Sequence, residues 1–206
     1  MKALFRKIFA KALITETPLQ QMVNRQEIIR LVVGSGGLPV QAGWIATDII
    51  SLDVTDDENW MEVLSGRKVT NVFAEHVWEH LTTKQAEISN NLIYKYLKPK
   101  GRFRIAVPDG FHPDHEYINH VKPGGHGPGA DDHKLLYTYI TLRDSLINSG
   151  FKVELLEYWD ENGKFHFTDW NTEHGKVMRS RRYDQRNVNG ELKYTSLIID
   201  AVKPDA

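Results

Sequence analysis

Between Val69 and Gly110 the spacing of apolar positions changes twice, and each change marks an element. Val69 to Ala74 is a short, partly β-branched apolar run and predicts a buried strand. Thr82 with Gln85 three residues on predicts a capping box. The helix it opens carries Ile88, Leu92, Ile93, Tyr96 and Leu97 on one face. Pro99 and Gly101 stop it. Phe103, Ile105 and Val107 then alternate along a second strand that closes at Pro108-Asp109-Gly110. Strand, helix, strand at this spacing is a right-handed parallel crossover. Open parallel sheets bind ligands beyond the carboxyl ends of their strands. Glu75, His76, Glu79, His80 and Asp109 all fall at such ends.

The same pattern extends over the chain. Leu4, Phe5, Ile8, Phe9, Ala12 and Leu13 share one face of an expected N-terminal helix, within an extension or lid over residues 1–27. That helix either packs on the domain or seeks a membrane surface. Ile28 to Val33 predicts a first strand and Trp44 to Ile50 a second. The interval between them is short for a crossover helix, and Pro39 and Gly43 argue for a stunted one. Asp56-Asp57-Glu58 with Trp60, Met61 and Leu64 predicts a short helix with an acidic first turn. Residues 111–133, rich in Gly, Pro and His, predict a long functional loop. Asp131 or Asp132 is then expected to cap a helix through Leu135, Leu136, Tyr139, Ile140 and Leu142, ending near Gly150. Phe151–Trp159 and Tyr194–Val202 predict the last strands, with residues 160–193 inserted between them. The arginines of that insertion, Arg179, Arg181, Arg182 and Arg186, either face an acidic substrate or pair with neighbouring carboxylates.

With 206 residues the chain fits one domain, 1–206, with a sizeable core. A net charge of −1 provides no global field toward DNA or a membrane, and no apolar run is long enough to span one. The absence of cysteine excludes disulfides and thiolate chemistry and agrees with a cytoplasmic setting. Basic residues spread through the first thirteen positions do not form a signal peptide. These features leave a small-molecule substrate as the expected partner.

Gly34-Ser35-Gly36-Gly37 follows the first predicted strand, where glycines let backbone N–H groups approach an anion. Asp48, near the end of the second strand, either accepts from a ribose diol or caps a turn. These features, with EHVWEHL, the helix and LKPKGRFRIAVPD, resemble the class I S-adenosylmethionine (SAM)-dependent methyltransferases, in particular predicted members of unassigned substrate. The family's usual L-K-P-G-G has Lys100 at the first glycine. Its acid two residues before the glycine loop is Val32, and Leu38 stands at the third glycine. The resemblance implies an α/β fold: a Rossmann-like three-layer sandwich with a mostly parallel seven-stranded sheet and an antiparallel last strand. It also implies SAM as cofactor. Gly34, Ser35, Gly36 and Gly37 would lie at its methionine carboxylate, Asp48 and Ile49 at its ribose, Asp53 and Val54 by its adenine, and Ala74 and Glu75 at the fourth family strand.

The expected activity is methyl transfer to a small or saccharide-like acceptor, at oxygen, with His76, Asp109 and His133 as catalytic candidates and His76 as first base. The N/D-P-P-Y/F element of DNA amino-methylases is missing. His76-Val77-Trp78-Glu79-His80 also has the form H-x-x-E-H. On a helix it would set His76, Glu79 and His80 on one face. The resemblance to metal-dependent O-methyltransferases, which carry E-x-x-E-H here, adds His133 as a distant ligand of a divalent metal. In metal-free relatives the same E-H pair caps the helix and lines the cofactor pocket. Two other functions remain open: a non-catalytic SAM- or nucleotide-binding module, motivated by Val32 and the displaced glycine, and a nicotinamide-dependent oxidoreductase.

Overall fold

The computed structural model describes residues 16–205. The N-terminal helix expected at Leu4–Leu13, lid or membrane-seeking, lies outside them. Seven strands form one sheet: β1 (Arg30–Val33), β2 (Ile45–Ala46), β3 (Val69–Glu75), β4 (Leu97–Pro108), β5 (Lys152–Trp159), β6 (Phe165–Phe167) and β7 (Ser196–Val202). Their spatial order is β2-β1-β3-β4-β7-β5-β6. Strands β1 to β5 run one way, and β6 and β7 run against them. The sheet is therefore mostly parallel with an antiparallel last strand, as the resemblance implied. The insertion supplies the second reversed strand, β6.

Alternation of side chains sorts the sheet into two unlike faces. Leu31, Val33, Val72, Ala74, Phe103, Ile105, Leu197 and Ile199 meet the helices α1 (Pro18–Arg25), α2 (Asp57–Leu64), α3 (Thr83–Tyr96) and α5 (Tyr139–Asn148). The anchors of this layer are large. Trp60 stacks flat on Tyr96 at 5.4 Å, and Trp78 tilts against Phe103 at 4.9 Å. Burying each such ring removes over ~150 Å² from water, the largest packing contribution a single side chain makes. Val32, Phe73, Ala106 and Ile198 point the other way. They are covered by Trp44, Trp170 and Val177 from irregular chain. The three layers are thus helices, sheet and a coil segment. The stunted first helix anticipated between Gly34 and Asp48 is absent altogether, and residues 170–183 cover that face instead.

Several local expectations need correction. The capping box Thr82–Gln85 opens α3 as predicted, but α3 ends at Tyr96, and Leu97 already pairs with Val69 in the sheet. The second strand is two residues long rather than seven, because the chain turns over at Asp48–Leu52. The expected loop at 111–133 contains α4 (His115–Val121), capped by Asp114, and a 3-10 turn at Ala130–Asp132. Asp131 and Asp132 do not cap the next helix. Leu135 to Tyr137 run extended, with Tyr137 bridged to Asp109, and Thr138 caps α5.

Candidate functional site

The chain leaves β1 toward β2 on one side and returns to β3 on the other, so a crevice opens beyond the carboxyl ends of β1 and β3. A cavity of about 880 Å³ lies there. Its lining includes Val33, Gly34, Ser35 and Gly36 from the turn after β1, together with Glu79, His80 and His133. Trp44 and Phe73 form part of the apolar wall, in edge contact at 6.2 Å.

Gly34 turns the chain out of β1 with φ 67°, and Gly36 and Gly37 are also left-handed. Ser35 donates its N–H to Thr47 O, but the N–H groups of Gly36 and Gly37 have no acceptor among the described residues. Asp48 sits half-buried at the end of β2. Its Oδ1 accepts from Ile50 N at 3.2 Å, which is the turn cap, while Oδ2 has no protein partner among the described residues. The expected cofactor positions therefore separate. Gly34, Ser35, Gly36 and Glu75 line the cavity; Gly37, Asp48, Ile49, Asp53, Val54 and Ala74 do not. Asp53 accepts from Thr55 N at 2.8 Å, and Val54 and Ala74 are core residues. Glu75 spends both oxygens on backbone, accepting from Met178 N at 3.1 Å and Arg179 N at 2.7 Å. That grip brings Lys176, Met178 and Arg179 to the cavity wall.

The H-x-x-E-H segment is not a helix. His76 is left-handed at φ 57°, and only Trp78–His80 make a 3-10 turn. Trp78 is drawn into the core, where its Nε1 donates to Asn90 at 3.0 Å. Glu79 and His80 are left facing the cavity. His76 is thereby separated from the one helical face that the spacing predicted. Its Nε2 lies 3.0 Å from Ser196 Oγ and its Nδ1 3.0 Å from Glu79 Oε1, so both ring nitrogens are engaged.

Glu79 is fully buried, and neither oxygen accepts an aligned hydrogen bond. Burial pushes its carboxyl up, but the His76 and His80 imidazoles outweigh that and hold it below the usual carboxylate range. His80 and His133 meet edge to face at 4.7 Å. Glu79, His80 and His133 each offer one ligand atom within 4.8 Å of the others, and His76 stands outside this group. Asp109 is also fully buried but away from the cavity: Oδ1 accepts from Phe111 N and Oδ2 from Trp159 N. Its post is the junction of β4 and β5 rather than the cavity.

Of the insertion's arginines, expected to face an acidic substrate or to pair with carboxylates, Arg179 and Arg186 line the cavity. Lys176 carried no sequence signal, since its place depends on the grip of Glu75, some hundred positions away, on the neighbouring backbone. Arg181 and Arg182, from the same cluster, turn toward Asp169 at 3.7 Å, and Arg186 pairs with Asp184 at 2.6 Å. Among the described residues no helix is long and apolar enough to cross a membrane.

No family model matches the chain, and no curated protein matches it. Solved structures do. The chain is similar to an O-methyltransferase family protein from Burkholderia thailandensis over 92% of this chain and 56% of that one, with 9% identity and a TM-score of 0.50. It is also similar to a SAM-dependent methyltransferase from Archaeoglobus fulgidus over 90% and 93%, with 20% identity and a TM-score of 0.49. A phosphoethanolamine N-methyltransferase from Haemonchus contortus, solved with SAM, matches over 86% and 49%, with 13% identity and a TM-score of 0.44. The fold is that of the class I SAM-dependent methyltransferases.

Proposed function

We propose that the protein transfers a methyl group from SAM to a hydroxyl of a small or saccharide-like acceptor. The observation that carries this reading is one cavity at the carboxyl ends of β1 and β3 whose lining combines a glycine turn with a group of ionisable side chains. The unpaired N–H of Gly36 in the cavity wall suits the methionine carboxylate. Gly37 and Asp48 stand outside the lining, next in sequence to Gly36 and to Thr47, which accepts from Ser35 N. The free Oδ2 of Asp48 suits a ribose hydroxyl reaching to that side. SAM, when bound, supplies an electrophilic methyl group on its sulfonium. The chain's own residues orient the acceptor, exclude water and take its proton. His133 suits the base better than His76, because Val121 O binds its Nδ1 at 2.6 Å and leaves Nε2 free. Lys176 and Arg179 on the wall favour an acceptor that carries a negative group.

Calorimetric titration with S-adenosylhomocysteine and with NAD tests the reading. Binding of S-adenosylhomocysteine alone is expected. Binding of NAD alone would replace it with the oxidoreductase. Binding of neither would favour a non-catalytic module, which the missing helix after the glycine turn also suits.

A further inference from the structure

We infer that Glu79, His80 and His133 bind a divalent first-row transition-metal ion in the wall of this cavity. Three features of the side chains converge on this. A buried carboxylate with no aligned donor is costly to fold. Glu79, at the cavity edge, has only the His76 ring nitrogen 3.0 Å from Oε1, out of line, and no donor at Oε2. A cation in the cavity would satisfy them.

The two imidazoles are already oriented as ligands. Val121 O can only accept, so its 2.6 Å contact fixes the proton of neutral His133 on Nδ1 and leaves the Nε2 lone pair free. Asp132 Oδ2 does the same for His80 at 3.2 Å. A carbonyl or carboxylate behind each histidine is the outer shell that metal-binding imidazoles carry.

The donor set is two imidazoles and one carboxylate, which suits zinc, iron, cobalt, nickel or manganese rather than magnesium. Three protein ligands leave further positions open toward the cavity. The ligand atoms lie within 4.8 Å of one another. A tetrahedral ion with bonds of 2.0–2.1 Å needs about 3.3 Å between them. Binding therefore draws the three side chains together. His76 backs Glu79 and is not a ligand. The ion would take the Nε2 lone pair of His133 that the metal-free reading gives to the base, so with the ion bound His133 is a ligand and not the base. The binding site itself stands independently of the methyl-transfer reading.

The test uses full-length protein without a histidine tag, stripped with a chelator and titrated calorimetrically with zinc sulfate and with manganese chloride. One saturable equivalent of at least one ion is expected, with a rise in melting temperature. His80→Ala and His133→Ala should each weaken it by about a hundredfold or more, and Asp132→Asn by about ten- to a hundredfold. His126→Ala, outside the cluster, should leave it unchanged. No one-to-one binding of either ion, or binding kept in both His80→Ala and His133→Ala, would overturn the inference. Titrating the same stripped protein with S-adenosylhomocysteine separates the two readings: cofactor binding without metal binding sinks the ion alone.

Discussion

Arg104 on β4 and Asp200 on β7 form a fully buried bidentate pair, Nε to Oδ1 and Nη2 to Oδ2, both at 2.7 Å. The remaining Nη1 donates to Asn171 O at 2.7 Å and Gly175 O at 2.8 Å. One guanidinium thus ties the sheet to the coil layer that carries Lys176 and Arg179 over the cavity. Removing Asp200 strands the Arg104 charge in the core, whereas removing Arg104 leaves Asp200 its second partner, Arg102 Nη1 at 2.8 Å. Asp200→Ala should cost about 3–5 kcal/mol by urea denaturation, and Arg104→Leu less. Arg104→Met with Asp200→Leu together should cost less than the two single changes added. Additive losses would mean that the two residues are not coupled.

Gly34 stands where no side chain fits. A Cβ built there would collide with Val77 Cγ2, and its φ of 67° disfavours any L side chain. Gly34→Ala should destabilise by about 2–4 kcal/mol, overpacking added to backbone strain. Val77→Ala in the same protein should restore the overpacking part. A double-mutant cycle with no coupling would place the cost in the backbone alone.

Asp109 and His112 should give stability opposite slopes against pH. Burial pushes the Asp109 carboxyl up to about 6, against the pull of the Trp159 and Phe111 N–H groups. Its stabilisation is full below pH 3.8 and is lost as pH rises through 6. Burial pushes His112 down to about 4. Its stabilisation is full above 6.5 and is lost as pH falls through 4. Each amounts to about 3 kcal/mol at 1.36 kcal/mol per pH unit, with opposite signs across the shared window. Relative to wild type, Asp109→Asn should gain a slope rising with pH between about 4 and 6. His112→Phe, which keeps the stack on Tyr117, should gain a falling one. Denaturant melts at half-unit pH steps read both; parallel curves would remove the two groups from the balance.

For the cofactor reading, Asp48→Ala should weaken S-adenosylhomocysteine binding by about 1–3 kcal/mol, as for a lost charged hydrogen bond. Stability should hardly move, since the residue's protein contacts are a turn cap. Calorimetry giving an affinity equal to wild type would take Asp48 out of the site.

What could be read from the sequence followed the range of the forces. Thr82–Gln85 and the alternation at Phe103, Ile105 and Val107 act within a few residues, and both appear as expected. Lys100, standing where the family's usual L-K-P-G-G has a glycine, takes a left-handed backbone at φ 60°, a conformation that glycine adopts without strain. The helix expected from Asp131 or Asp132 failed because Gly110 N binds Tyr137 O at 2.7 Å, a pairing with residues before the loop that outweighed local pattern. The site was half legible. Its strand-end residues could be placed, while the orientation of Glu79 depended on Trp78 being claimed by Asn90 and Phe103.

The position of β7 fixes an order of events during synthesis. It leaves the ribosome after β4 and β5, yet it lies between them and pairs with both. Until residues 196–202 emerge, β4 and β5 each present an open edge, and nascent chains that stall earlier carry two unpaired rows of backbone groups. The buried Arg104 likewise waits for Asp200, so the roof of the cavity closes only when β7 arrives.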